Sequence, residues 1–297
     1  MGQRSGVDTF VKIGMREMDI RNCLLGLYEK ALPFSMSLDE RLVATKELGF
    51  DFMELNIDPG HIERVDWTNE EIISLRGKCA KYGVPFHTMT LSANREYPLG
   101  IKDDKIREFG KTLLKKAVVL AQKLGVRILQ VATYDVYEGI GDEETNLLFL
   151  DSMRECVQVA ARHGVMLALE TMDKPYADCV KGCKRIADEI ASPWLQIYAD
   201  TGNIAATGHD FETDIARDIS NVVAIHLKDS RPGVFRRVDY GTGIVNFDAV
   251  FNMLNKNAYR GFFVAEMWGD CDPLYMKKAG DAAVFLRNKI EEACRRQ

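Results

Sequence analysis

From about residue 21 onward the chain alternates short apolar runs with longer amphipathic stretches. Apolar runs bounded by turn signals are the pattern of strands buried on both faces of a parallel sheet, and apolar positions at helical spacing mark the helices that cover it. Strands are expected at Cys23–Tyr28, Asp51–Ile57, Val84–Leu91, Val126–Ala132, Val165–Leu169, Leu195–Ala199, Val222–Ile225 and Phe262–Ala265. Between them, helices are expected over Leu38–Leu48, Thr68 to Tyr82, Asp103–Leu124, Asp142–His163 and about Ala177–Ile190. A short helix follows Asp210, another covers Phe247–Lys256, and a long polar helix closes the chain near Arg295. Thr68 with Glu71 three positions on is a capping box. KELGFD, KYGVPF, KLGVRI and RHGVML each put a glycine between the end of a helix and the next strand, which is a helix stop.

Eight strand–helix units without a linker or low-complexity segment predict an α/β fold of the (β/α)8 TIM-barrel type. The competing open doubly wound sheet lacks its glycine-rich fingerprint after the first strand. The 297 residues suit a single barrel domain over 21–297, with 1–20 as an N-terminal extension. The opening MGQRSGVDTFVKIG has no apolar signal-peptide region, and Met15 is an alternative start.

Composition narrows the function. The chain is 46% hydrophobic with a net charge of −5, its cations dispersed among acids. That suits a soluble protein and argues against nucleic-acid binding, which needs a basic footprint, while leaving room for a small anionic substrate. The seven cysteines form no C-x-x-C pair and read as free thiols of a reducing cytoplasm. Cys179 and Cys183 could share a helix face but lack a second pair to close a zinc site. No run of about 18 apolar residues is present to span a membrane. Outer barrel helices often support dimers, so a homodimer is allowed, although no interface stripe is legible.

Four adjacent strands end on ionisable residues: Glu170 (LALE), Asp200 (IYAD), His226 (AIH) and Glu266 (VAE). Barrel strand ends ring one mouth, where ligands bind. Taken singly, a polar residue at a strand end simply meets solvent, and a histidine there bonds to backbone. Three carboxylates in one ring, however, repel one another unless a cation sits between them. Three oxygen ligands and one imidazole suit Mn²⁺, Zn²⁺, Co²⁺ or Mg²⁺.

This pattern resembles the xylose isomerase-like barrel superfamily, which includes ketose 3-epimerases, sugar isomerases and endonuclease IV. GLYEKALP (26–33), ELGFDFMEL (47–55), LSANREYPLG (91–100), ATYDVY (132–137) and KDSRPGVF (228–235) are similar to the L-xylulose-5-phosphate (L-ribulose-5-phosphate) 3-epimerases of bacterial L-ascorbate utilisation. The similarity runs from about Leu24 to Trp268. It implies that Glu170, Asp200, His226 and Glu266 bind a divalent cation, and that Glu170 and Glu266 act as paired acid and base at C3 of a ketopentose 5-phosphate. Such a cation would polarise the C2 carbonyl and stabilise a cis-enediolate. Members of that family carry His after Ser-Ala in the third-strand loop, where this chain has Asn94, which leaves a neutral amide for any substrate contact there.

For the phosphate, Lys30, Ser92, Asn94 and Arg95 are the candidates, since they lie within the family-specific motifs and supply charged and neutral donors. Gly241-Thr-Gly243 reads instead as a tight turn before Asn246. Lys228 and Arg237 either contact substrate oxygens or pair with Asp229 and Asp239. Trp268, Tyr134 and Tyr137 either wall the pocket or pack. The alternatives are an aldose–ketose isomerase using the same cation and a sugar-phosphate-binding barrel without turnover. An endonuclease IV-like cluster would need more histidine than the five present, of which only His87 and His226 fall in strands.

Overall fold

Inward and outward positions alternate along each strand, and this alternation places every group discussed below. In the computed structural model, which describes residues 19–270 and 272–295, eight parallel strands pair in sequence order and close into a barrel. They are β1 (Leu25–Tyr28), β2 (Phe52–Asn56), β3 (Thr88–Leu91), β4 (Ile128–Ala132), β5 (Met166–Glu170), β6 (Leu195–Asp200), β7 (Val222–Leu227) and β8 (Phe262–Ala265). Around them run α1 (Leu38–Glu47), α2 (Asn69–Tyr82), α3 (Asp104–Leu124), α4 (Glu143–His163), α5 (Val180–Ile190), α6 (Thr201–Ala206), α7 (Phe211–Ala216), α8 (Phe247–Lys256) and α9 (Tyr275–Arg295).

Outward side chains such as Met53, Leu55, Leu167 and Leu169 join the large core between sheet and helices. Inward ones form a smaller core of Tyr28, Phe52, Ile128, Ala168, Tyr198, Ala224 and Val264. Following the same alternation upward, Glu54, Gln130, Glu170, Asp200 and His226 occupy the inward positions toward the barrel mouth.

The four stop glycines, Gly49, Gly83, Gly125 and Gly164, all take positive φ, from 66° to 85°. At Gly83 and Gly125 the left-handed residue closes the helix by returning its N–H to the last turn. The capping box of Thr68 and Glu71 forms as expected.

Three expectations shift. β3 begins at Thr88, not Val84: Pro85 has no N–H to give a ladder, and its carbonyl instead accepts from Met53. His87 therefore precedes the strand, stacked on Phe262 at 5.2 Å near the opposite end of the barrel. α5 starts at Val180 rather than Ala177, and α6, six residues long and directly continuous with β6, was not expected. Residues 1–18 of the expected extension, with Met15, lie outside the described residues. Ile20 is fully buried, and its N–H reaches Asn255 Oδ1 at 3.3 Å.

A buried ion cluster ties the mouth ends of β1 and β2 together. Glu29, in the single turn after β1, is fully buried and pairs with Arg41 and with Arg64, whose guanidinium reaches both carboxylate oxygens at 2.7 and 2.9 Å. The same carboxylate accepts the Asn56 N–H at 2.8 Å. Removing it leaves two arginines without their buried counter-charge, a change that costs about 3–5 kcal/mol. Glu29→Ala is expected to lower unfolding stability by that amount, measured from the urea midpoint.

Candidate metal centre and substrate pocket

The structure brings the four strand-end residues together. Glu170, Asp200 and His226 are the last or penultimate residues of β5, β6 and β7, and Glu266 follows β8. All four are buried, and each offers one ligand atom within 4.8 Å of the others. His226 Nδ1 faces the carboxylates, 2.7 Å from Glu170 Oε1, 3.9 Å from Glu266 and 4.0 Å from Asp200. Gln130, one strand over, donates to the other oxygen of Glu170. Asp200 serves twice, since its Oδ1 accepts the Asn203 N–H at 2.8 Å and so caps α6.

Lys228 is the unexpected member. It does not pair with Asp229: its ammonium lies 2.7 Å from Asp200 Oδ2, 2.8 Å from Glu266 Oε2 and 2.9 Å from Asn203 Oδ1. Its stem passes Gly202, where an added Cβ would come within 2.8 Å of the lysine chain. Three buried carboxylates thus share this one ammonium and one imidazole. Carboxylates buried in that state are costly, and a hard divalent cation is the partner that three carboxylates and an imidazole best accommodate.

The electrostatics follow from this crowding. Burial pushes the Asp200 carboxyl above its ordinary range, Lys228 pulls against that rise, and the neighbouring acids Glu266 and Glu170 reinforce it. Glu266 is also penalised by burial, but Lys228 and His226 outweigh the penalty and hold it well below the usual carboxylate range. Burial disfavours charge on His226 and Lys228; the surrounding carboxylates win, and both are raised.

The phosphate candidates lie around the β1 and β3 ends. Lys30 is ion-paired with Asp58, and burial lowers its pKa against that pairing. Ser92 Oγ lies 2.7 Å from Asn56 Oδ1, and Asn94 Nδ2 donates to the Tyr97 carbonyl at 3.3 Å. Asn94 Oδ1 and Arg95 Nε are buried without a hydrogen-bond partner among the described residues. Arg95 is within electrostatic reach of Glu170, Tyr28, Tyr134 and Lys30. Arg237 stands elsewhere, on the β7 side. It pairs with Asp270 at 2.9 Å, while Asp239 takes Lys278.

A cleft of about 560 Å³ opens onto Glu266 and Lys228, walled by Tyr240, Met267, Trp268 and Phe285. Trp268 therefore lines the pocket, with Lys228 5.6 Å and Arg236 5.8 Å from its ring centroid. Tyr134 is packed, its hydroxyl 2.5 Å from Asp173 and its ring against Tyr137. The Gly241 and Gly243 N–H groups both donate to Asp229 Oδ2 at 2.9 Å, so an internal carboxylate fills the turn. Asp178, Cys179 and His209 form another possible ligand group, half-exposed to exposed, with His209 Nε2 3.1 Å from Asp178.

The family model of the xylose isomerase-like TIM barrel matches residues 42–289. The chain is 40% identical over 248 residues to L-ribulose-5-phosphate 3-epimerase UlaE of Salmonella heidelberg (strain SL476), covering 83% of this chain and 87% of that protein. The chain belongs to the xylose isomerase-like TIM-barrel family, in its L-ribulose-5-phosphate 3-epimerase branch. It is an isomerase of the epimerase type. Among solved structures, an L-ribulose 3-epimerase superposes with a TM-score of 0.79 at 16% identity, covering 92% of this chain and 96% of that one. D-psicose 3-epimerase from Clostridium cellulolyticum H10, solved with D-tagatose, gives 0.76 at 17% identity, covering 90% and 99%. These two likenesses concern the fold.

Two buried groups escaped the sequence analysis, Gln130 and Glu54, the latter beneath His226. Both are inward residues within apolar strands, and a polar residue at an inward position was the available signal. Asp200→Asn keeps the helix cap and removes the charge. It is expected to weaken Mn²⁺ binding at least tenfold while leaving the thermal midpoint within a few degrees of wild type, as followed by free-Mn²⁺ titration and circular dichroism.

Proposed function

We propose that the protein is a divalent-cation-dependent 3-epimerase of ketopentose 5-phosphates, interconverting the L-xylulo and L-ribulo forms. The observation that carries this reading is the convergence of Glu170, Asp200, His226 and Glu266, all buried, with one ligand atom each within 4.8 Å of the others. Kinship with the L-ribulose-5-phosphate 3-epimerases supports the substrate class. Glu170, Asp200, His226 and Glu266 would hold the cation. When bound, it supplies a Lewis acid that draws electron density from the C2 carbonyl and so acidifies the C3 hydrogen.

Epimerisation needs one group to take the C3 proton and another to return a proton on the opposite face. Glu266, which lines the cleft beside Trp268, would accept the proton at a carboxylate oxygen. Glu170, held by Gln130 on one oxygen, would serve the opposite face. The two exchange roles with reaction direction. Lys228 adds fixed positive charge beside the oxyanion that develops as the proton leaves. Trp268 forms an apolar wall that keeps water from the carbanionic carbon.

For the C5 phosphate, Arg95 with its unpartnered Nε is the principal donor. Lys30 assists by exchanging Asp58 for phosphate, and Ser92 and Asn94 complete that side of the mouth. Arg237 guards the opposite rim of the cleft.

Incubation of Mn²⁺-loaded protein with L-xylulose 5-phosphate in deuterated water is expected to place deuterium at C3, read by NMR. Deuterium confined to C1 or C2 would instead mark an aldose–ketose isomerase, and no exchange a binding barrel. Glu170→Gln and Glu266→Gln are each expected to lower kcat by about 10³-fold or more, and chelator removal of the cation to abolish turnover. Arg95→Met is expected to raise KM for the phosphorylated ketose about tenfold or more, the loss of a charge-assisted hydrogen bond. The rate on the unphosphorylated sugar should change little.

A further inference from the structure

Glu54 is a fully buried carboxylate in the middle of β2, outside the four-residue cluster. Its Oε1 lies 2.6 Å from His226 Nε2. Its Oε2 accepts from the hydroxyls of Tyr198 at 2.7 Å and Thr88 at 2.5 Å. Burying an acid costs stability unless every partner is in place, and an apolar side chain there would avoid that cost. Thr88 and Tyr198 satisfy the far oxygen; the near oxygen is spent on the imidazole alone.

That contact has a directional consequence. Both ring nitrogens face a carboxylate, but Nε2 points to Glu54 alone at 2.6 Å, whereas Nδ1 faces Glu170, Glu266 and Asp200. With a cation among those three, Glu54 keeps the proton on Nε2, and Nδ1 is the nitrogen free to give its lone pair. Turning the ring over would set carbons against both carboxylates. Tyr198 and Tyr28 flank the ring with centroids at 4.5 and 5.8 Å and block other rotations. We propose that Glu54 is a positioning residue for the metal centre: backed by Tyr198 and Thr88, it holds the His226 proton on Nε2 and presents Nδ1 as the ligand. The carboxylate also makes the ligand nitrogen more basic. Losing such a partner typically weakens metal binding by about 10–100-fold.

This inference rests on the cation-dependent reading above, and the test separates the two. Free Mn²⁺ is followed by electron paramagnetic resonance during titration of wild-type protein and Glu54→Gln, with thermal unfolding measured alongside. Glu54→Gln keeps the size and the hydroxyl partners, so the expected result is a folded protein with a Mn²⁺ dissociation constant raised at least tenfold. Wild-type affinity in the variant overturns the role of Glu54 and leaves the metal centre standing. A wild-type protein that takes up no Mn²⁺ overturns both. Independently of any variant, ¹⁵N-histidine spectra of the Zn²⁺-loaded wild type should show His226 protonated at Nε2, and a proton on Nδ1 overturns the inference.

Discussion

Three carboxylates and an imidazole cannot crowd within 4.8 Å in a water-poor barrel mouth without positive charge among them. That constraint organises the upper layer of the barrel. Lys228 reaches back from beyond β7 to lie between Asp200 and Glu266, and Gln130 takes an oxygen of Glu170. Gly202 leaves the space through which the lysine passes, and Thr201 fixes its backbone by accepting the Lys228 N–H at 2.9 Å. Below, Glu54 adds a fourth buried acid within reach of the imidazole. The barrel thus concentrates negative charge where solvent cannot screen it, a disposition that favours a bound cation.

Most of the architecture was legible because parallel strands buried on both faces leave continuous apolar runs, and because left-handed glycines end the helices between them. Where the reading slipped, a local feature explains it. Val84-Pro85-Phe86-His87 has the composition of a strand, but proline interrupts the ladder. α6 is only six residues long and is capped by the residue that ends β6, so no turn signal announces it.

The four strand-end residues were visible because each follows an apolar run directly. Glu54 and Gln130 were not, since attention to strand ends overlooks polar residues midway along a strand. The inward alternation of FMELN and ILQVA exposes them once strand direction is known. From sequence, Lys228 and Arg237 either touch substrate or pair with Asp229 and Asp239; in the fold, Lys228 pairs instead with Asp200 and Glu266, and Arg237 with Asp270. Sequence separation says little about which acid a long cationic side chain reaches, and the loops after β7 and β8 fold across each other.

Asp229 carries a consequence of its own. By accepting N–H groups from Gly241, Gly243, Val245 and Ser230, its carboxylate does for the loop after β7 what a bound anion does in many barrels. That cradle is filled from within, so its N–H groups are already spent on a side chain of the same loop. An incoming phosphate finds no vacancy there. In the proposed reading, the charged end of the substrate accordingly turns toward the β1–β3 rim, and its carbonyl end is left for the carboxylates.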